Sequence, residues 1–367
     1  MTLRFAESFD RWASTGDMVR GLQLLNTGGS INSTGGVWNG GYYYGGDLNP
    51  GTWVPFFSQV SGTTLRWAYW IKIGSGYVFG NTVHRPITEF KDREVGATRF
   101  LHMRLTGSGA TSRMVAGKYD DASNAATVAT GTTQIADDTW KHVECEFVAD
   151  PTSGTFKTWI DGVADINFSG DTTDAASGDV SSFTGMRFAG SSSNSSNDSV
   201  NFDDLIVWDD SGGAGAFKGR LPDKHRIRHI TPAANGSQND WTPTSGSNFE
   251  NVDEAQVDDT ATYNYTETVN AIDYYSFNNM SFNPLSIYAM VGEVFARRDG
   301  LRARGVFPKC RVKLKRSGGV QNGTAKNTVA KFRRYAIVTE NDPVDGAPWT
   351  KGKFNTGQLE VGIEKTA

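Results

Sequence analysis

Cysteine is scarce in this sequence: Cys145 and Cys310 are the only two among 367 residues. A chain of this length can bury a sizeable hydrophobic core, so its stability does not require a disulfide framework. The two cysteines lie in different halves of the chain, and each falls on the apolar face of a predicted strand. We therefore expect both to be buried, reduced thiols.

Long apolar segments are also missing. None approaches the roughly 20 residues that a helix needs to cross a bilayer, so we expect no contact with a membrane interior. The N-terminus lacks the basic and then apolar pattern of a signal peptide. This predicts synthesis in a cytoplasm and delivery to any outside location by another route.

Helical periodicity is the third absence, since no window repeats apolar residues at the spacing of a helix. The chain is rich instead in glycine (42 residues), in aromatics (12%) and in Ser, Thr and Asn clusters. These suit short strands joined by turns, so we predict an all-β chain. Its length suits two domains.

Residues 140–162 give the clearest local prediction, a β-hairpin. The first strand alternates apolar and polar residues, as a half-buried strand does. Its predicted core face consists of Val143, Cys145 and Phe147. A turn at 150–154 contains proline and glycine, which cannot continue a sheet, and Asp161-Gly162 closes the second strand with a pair that tolerates positive φ.

This hairpin resembles the concanavalin A-like, laminin-G-like family, in which a Trp-x-His-Val strand precedes a strand ending in a hydrophobic residue, Asp and Gly. Three further segments fit that family: residues 5–10, 64–73 and 201–209. The resemblance implies a jelly-roll sandwich whose first and last strands lie together in one sheet. It is nearly silent on the ligand.

We accordingly predict a concanavalin A-like domain over residues 1–210, a glycine-rich linker over 211–224 and a second, smaller β-sandwich over 225–367. Strands of the second half are predicted at 226–230, 271–277, 286–297, 305–316, 332–339 and 358–363. The strand at 286–297 is apolar on both faces, so we expect it to be central and buried. In 305–316, Cys310, Val312 and Leu314 are expected to face inward.

The second half resembles a domain carried by structural proteins of tailed bacteriophages. The resemblance rests on residues 251–255 with 257–263, 287–291 with 296–299, and 349–350 with 358–363. It implies a virion protein that breaks no bond and contacts other virion proteins and copies of itself, for example as a trimer. A tail fibre, tail appendage or tail-tip component is the first prediction, and a capsid decoration or head fibre is the alternative.

Charge is distributed unevenly along the chain. Residues 1–210 hold 15 Lys and Arg against 24 Asp and Glu, whereas residues 211–367 hold 21 against 16. Aromatic interleaving with the basic residues is weak and no nucleic-acid motif is present, so we predict contact with an acidic protein neighbour and not with nucleic acid. That neighbour is either a second virion protein or the acidic first half of an adjacent copy. The predicted basic patch comprises Arg297, Arg298, Arg302, Arg304, Lys309, Arg311, Lys313 and Lys315.

Catalytic motifs are not evident. Glu144 and Glu146 share a strand face, as the paired carboxylates of glycoside hydrolases do. The Glu-x-Asp-x-x-Glu pattern of hydrolases with this fold is absent, so we interpret both as solvent-facing or convex-face carboxylates. The five histidines show no zinc-binding spacing. A carbohydrate-active enzyme and a free glycan-binding lectin stay open as alternatives.

Two binding sites are left open by the sequence. The family resemblance implies calcium, which takes oxygen ligands from loop carboxylates; the candidates are Asp47, Asp161, Asp203 and Asp204, and solvated acidic loops are the alternative. A glycan could stack on the aromatics of the glycine-flanked segment 36–46. Those candidates are Trp38, Tyr42, Tyr43 and Tyr44, with packing or a subunit contact as the alternative.

Overall fold

The computed structural model describes residues 2–8, 30–32, 36–37, 43–46, 53–61, 63–74, 78–79, 86–91, 99–108, 112–119, 125–173, 182–188, 200–209, 219–221, 224–254, 261–298, 308–355 and 359–367. The chain forms two compact units, and its described residues divide between them after Arg228. Residues 219–221, inside the segment predicted as a linker, therefore belong to the first unit.

The first unit is built from antiparallel strands. In chain order these are β1 (Thr2–Glu7), β2 (Ser30–Asn32), β3 (Tyr43–Gly46), β4 (Trp53–Ser61), β5 (Thr64–Ile73), β6 (Val78–Phe79), β7 (Pro86–Lys91), β8 (Arg99–Ser108), β9 (Arg113–Tyr119), β10 (Ala125–Thr130), β11 (Lys141–Val148), β12 (Gly154–Ile160), β13 (Val163–Gly170), β14 (Ser182–Phe188) and β15 (Val200–Asp209). The first sheet has the order β13-β12-β11-β5-β15-β3-β2, with β1 also paired to β15. The second has the order β10-β9-β8-β7-β14-β4, with β6 paired to β8.

The two sheets form a β-sandwich of jelly-roll type, because the chain passes repeatedly from one sheet to the other. Across the sheets, β1 approaches β4 and β10 approaches β13. The first and last strands lie side by side, with Phe5 opposite Val207. The structure thus confirms the all-β prediction and the adjacency that the resemblance implied.

The hairpin at 140–162 is confirmed in detail. Strand β11 pairs with β12 so that Val143 lies opposite Ile160 and Phe147 opposite Phe156. Positive φ angles of 52° at Asp161 and 84° at Gly162 form the tight turn into β13, as the Asp-Gly pair predicted.

The core of the first unit lies on the inner face of this sheet. Phe156 is fully buried and contacts two other aromatic rings edge to face, Trp67 at 6.0 Å and Phe147 at 6.1 Å between centroids. Cys145 is free and buried beside them, as predicted. Burial raises the pKa of its thiol well above the usual range, so the sulfur behaves as an apolar atom.

The second unit is also β-rich. Its elements are β16 (Pro232–Asn239), β17 (Thr242–Pro243), a 3₁₀ turn (Phe249–Asn251), β18 (Asn264–Tyr265), β19 (Ile272–Phe277), β20 (Met290–Ala296), β21 (Lys309–Arg316), β22 (Gly319–Asn322), β23 (Lys326–Asn327), β24 (Arg333–Thr339), α1 (Lys351–Asn355) and β25 (Leu359–Lys365). The main sheet has the order β16-β19-β25-β21-β22, with β23 paired to β21; β20 pairs with β24, and β17 with β18. No helix among the described residues combines the length and apolar character needed to span a membrane.

The hydrophobic core of this unit lies between the main sheet and the β20–β24 pair. Cys310, Val312 and Leu314 face inward from β21, as predicted, and Tyr335 and Ile337 meet them from β24. Cys310 is free and buried, and burial raises the pKa of its thiol to about 12.

Two strand predictions in the second half were wrong. Residues 226–230 are not a strand, and β16 begins only at Pro232. The strand predicted at 286–297 is shorter than expected, and among the described residues β20 pairs with β24 alone. One face of β20 packs on the core through Met290 and Val294, while Val291 on the other face is half-buried. Its apolar character therefore does not indicate a central strand.

Candidate functional site

The outer face of the first sheet is covered by a segment that we call the strap, defined as residues 219–221 and 224–228. Gly219 is half-buried, and Leu221 and His225 are buried. The Nε1 atoms of Trp208 and Trp70 donate hydrogen bonds to the carbonyls of Gly219 (3.3 Å) and His225 (3.1 Å). The strap therefore accepts hydrogen bonds from two indole N–H groups of the sheet. Without the strap, these donors would need water as a partner.

Glu144 binds the strap directly. Its Oε1 accepts the Leu221 amide at 3.0 Å, and its Oε2 lies 3.3 Å from Nε of Arg220. The Arg220 guanidinium also stacks 4.2 Å from the ring centroid of Trp159. Burial raises the pKa of Glu144, although Arg220 and the Leu221 amide act in the opposite direction.

Glu146 is bound within the sheet instead. Its Oε2 accepts from Nη2 of Arg66 at 2.8 Å, and its Oε1 from Nζ of Lys157 at 3.1 Å. Burial alone would raise the pKa of Glu146, but these hydrogen bonds outweigh it and lower the pKa. Both glutamates lie on the outer face of the first sheet, as the convex-face interpretation predicted, but neither faces solvent freely: Glu144 is only 2% exposed and Glu146 is half-buried. Each carboxylate binds a cation of its own unit.

A pair of buried histidines joins the strap to strand β11. His142 Nε2 and His225 Nδ1 are 2.8 Å apart, and His225 Nε2 contacts the carbonyl of Asp204. A carbonyl can only accept, so His225 carries its proton on Nε2, and His142 Nε2 donates to the bare Nδ1 of His225. Sequence reasoning missed this pair because the two residues are 83 positions apart.

Both histidines are held neutral by their surroundings. Burial, together with His225 and the nearby cations of the strap, lowers the pKa of His142 to about 2. Burial lowers the pKa of His225 to about 4, although its hydrogen bond to the Asp204 carbonyl acts in the opposite direction.

The predicted calcium ligands do not converge in the part of the chain that the structure describes. The carboxylate of Asp161 lies 2.8 Å from both Lys141 and Lys224, and that of Asp203 accepts the amides of Val37 and Asp204. Asp47 lies outside the described residues. Among those residues no group of three His, Cys, Asp or Glu side chains could hold a metal ion. Asp161 therefore serves as an ion-pair acceptor, and Asp203 as an acceptor for backbone amides.

The aromatic segment 36–46 is anchored at both ends to strand β15. Near its start, the Val37 amide donates to Asp203 at 3.0 Å. At its end, Tyr44 lies opposite Phe202 in the pairing of β3 with β15. Trp38 and Tyr42 lie outside the described residues. Tyr43 and Tyr44 belong to β3, and the glycan platform stays a prediction.

The predicted basic patch finds its acidic partners inside the second unit. Nε and Nη2 of Arg311 bind the two carboxylate oxygens of Glu364 at 2.9 and 3.0 Å, and Lys313 Nζ binds the same group at 2.8 Å. Lys315 binds Glu360 at 3.0 Å. These glutamates lie on β25, which pairs with β21. These three cations therefore form cross-strand ion pairs, and contact of the patch with an acidic neighbour stays a prediction.

The remaining residues of the patch behave differently. The Arg297 guanidinium lies 4.8 Å from the ring centroid of Phe332, which is a cation–π contact. The backbone amide of Arg298 donates to Val329, and Lys309 is exposed. Arg302 and Arg304 lie outside the described residues.

We expect the Arg220→Ala variant to lose about 1–2 kcal/mol of unfolding free energy, because Glu144 would stay buried with one fewer partner. The pKa of Glu144 should rise further. Urea denaturation and NMR titration of the carboxyl carbon would measure the two effects. The matched control is Lys157→Ala, since Glu146 keeps Arg66 and should lose less than about 0.5 kcal/mol. Equal losses in both variants would contradict a special role for the strap contact.

No family model and no curated protein matches this chain. Several solved structures are similar to parts of it. Alginate lyase Aly36B in complex with an alginate tetrasaccharide is 14% identical, covers 61% of this chain and 98% of its own, and has a TM-score of 0.37. Domain 4 of AbnA, an extracellular arabinanase from Geobacillus stearothermophilus, is 15% identical, with coverages of 56% and 91% and a TM-score of 0.31. Lectin I-B4 from Griffonia simplicifolia is 12% identical, with coverages of 56% and 98% and a TM-score of 0.29. These similarities are too distant to assign a family or a ligand, so the description of the first unit as a jelly-roll β-sandwich rests on its own strand order.

Proposed function

We propose that this chain is a non-catalytic, carbohydrate-binding protein whose first unit contacts the sugar through the aromatic segment 36–46. The observation that carries the proposal is the anchoring of that segment at both ends to one strand, through Val37 with Asp203 and through Tyr44 with Phe202. A segment fixed at both ends presents its side chains with less loss of conformational freedom on binding. Aromatic rings on such a segment suit the apolar faces of sugar rings.

The carboxylates on the outer face of the first sheet favour the non-catalytic part of the proposal. A hydrolase needs one carboxyl group as acid and another as base or nucleophile, with access to the substrate. Glu144, Glu146 and Asp161 each bind cations of the same unit instead. This arrangement favours a structural role for all three.

Binding to a panel of polysaccharides and oligosaccharides, followed by calorimetry with the best ligand, tests this proposal. We expect Trp38→Ala and Tyr43→Ala each to weaken binding tenfold or more, which corresponds to about 1.4 kcal/mol. Tyr265→Ala is the matched control, because this tyrosine is 50% exposed and lies in the second unit. The proposal fails if the unaltered chain binds no sugar, or if both variants bind as the unaltered chain does.

The place of the protein on a tailed phage particle is a separate proposal, which rests on the resemblance of residues 225–364. In it, the second unit attaches the chain to other virion proteins or to sister copies, and the first unit faces outward. Mass spectrometry of purified particles, with the copy number per particle, is the test. Absence of the chain from intact particles would leave the free glycan-binding lectin as the better description.

A further inference from the structure

The contact between His142 and the strap residue His225 has a geometry that depends on the number of protons the two imidazoles hold. The His142–His225 hydrogen bond uses one proton between two nitrogens 2.8 Å apart, and the other nitrogen of His225 already donates to Asp204. If a proton were added to His225 Nδ1, two N–H donors would face each other, because His142 Nε2 already carries a proton. The pair can adapt to one added proton by a change of tautomer in His142, but it cannot keep this contact with two.

The surroundings offer little compensation for added positive charge. Two acidic groups on the same side of the sheet already bind cations: Asp161 binds Lys141 and Lys224, and Glu144 binds Arg220. The ring of Trp70 also packs on His142, with 5.3 Å between the two ring centroids. The charged groups on the same sheet face, on adjoining strands and on the strap are Arg66, Lys72, Lys141, Glu144, Glu146, Lys157, Asp161, Asp203, Asp204, Arg220, Lys224, Arg226 and Arg228.

We propose that the strap is a proton-sensitive latch, which closes over the outer face of the first sheet at neutral pH and opens in mild acid while the sandwich stays folded. Opening brings both imidazoles into water, where each can take up a proton. It also uncovers Trp70, Trp159 and the Glu144 carboxylate, all of which contact the strap when it is closed. This proposal is independent of the sugar contact proposed above.

The direction of the pH dependence follows from the pKa values of the histidines in the open and closed states. In the open state each histidine has its ordinary pKa of 6.5, whereas in the closed state that of His225 is about 4. The open state therefore binds more protons between these values, so the closed latch is fully favoured above pH 6.5 and loses stability as the pH falls below it. For His225 alone, the ratio of open to closed strap should rise about 30-fold between pH 7.5 and pH 5.

Hydrogen exchange of the Leu221 amide, corrected for the intrinsic pH dependence of exchange, measures this ratio. The Ile166 amide, which donates to Thr158 inside the sheet, reports on the sandwich itself. We expect Leu221 to lose about 30-fold or more of its protection by pH 5 while Ile166 keeps its own. Unchanged protection at Leu221, or simultaneous loss at both amides, would overturn the latch.

Variants separate the histidine pair from other acid effects. In His142→Gln/His225→Gln, neither residue at the contact can titrate, so the acid-induced loss of protection at Leu221 should disappear. Glu144, whose pKa burial raises in the closed state, favours the closed strap in acid and so acts in the opposite direction. The matched control is His229→Gln, which changes an exposed histidine four residues after His225 and just outside the strap and should keep the full response. If the double variant no longer closes the strap, NMR titration of the imidazoles in the unaltered chain decides: values near 6.5 with Leu221 still protected would contradict the proposal.

Discussion

Replacement of Phe156 by alanine should lower the unfolding free energy of the first unit by about 3–5 kcal/mol. The side chain is fully buried, and its ring packs edge to face on Trp67 and Phe147. Alanine would remove these contacts and leave a cavity that rigid neighbouring strands cannot fill. Urea denaturation, followed by the fluorescence of the first unit's tryptophans, measures the loss.

Val163→Ala is the matched control for the core variant. Val163 follows the same hairpin but is 66% exposed, so its truncation should change the unfolding free energy by less than about 0.5 kcal/mol. A loss below about 1 kcal/mol for Phe156→Ala would show that the sandwich relaxes around the cavity. It would contradict the tight packing described for this core.

The Glu364→Gln variant should destabilise the second unit by about 3 kcal/mol. Arg311 and Lys313 both bind this carboxylate, and the Lys313 ammonium is largely buried. Glutamine would leave that cation without a charged partner, which costs more than the original ion pair contributes. Glu267→Gln, at an exposed position in the same unit, is the control.

Changing Lys313 to methionine in the Glu364→Gln background should restore part of the loss, because the unpaired cation is then removed. The pH dependence provides a second check. Burial would raise the pKa of Glu364, but the hydrogen bonds from Arg311 and Lys313 outweigh it and lower the pKa. Its stabilising effect is therefore present above the ordinary value of 4.5 and lost as the pH falls through the lowered pKa. The difference between the unaltered chain and the variant should shrink over that acidic range, and a constant difference would argue against an ionic origin.

The sequence predicted the elements whose cause is local. Alternation in 141–148 and 309–316 was sufficient to place Val143 and Leu314 in their cores, because the period of a strand fixes which side chains share a face. The Asp161-Gly162 turn was likewise predictable from the conformational freedom of these two residues. The adjacency of β1 and β15 followed from the family resemblance, since no local signal spans 200 residues.

The strap and the ion pairs of β21 were not predictable in the same way, because each depends on which segments meet in space. A signal for the strap was nevertheless present. The outward face of β5 carries Ala68 and Trp70, and that of β15 carries Ile206 and Trp208. Strands that are apolar on both faces need a cover. The lysines and arginines of β21 gave no such signal, since the sequence alone does not show that β25 places glutamates beside them.

The strap also determines when the first unit can finish folding during synthesis. Strand β1 is made first but pairs with β15, about 200 residues later, and the cover over Trp70 and Trp208 arrives only with Gly219 and His225. A nascent chain that has emerged only as far as residue 210 would therefore expose two indole rings and the Glu144 carboxylate to solvent. The sandwich becomes complete only when the ribosome has released residues up to 228, so folding of this unit is a late event that waits for the segment linking it to the rest of the protein.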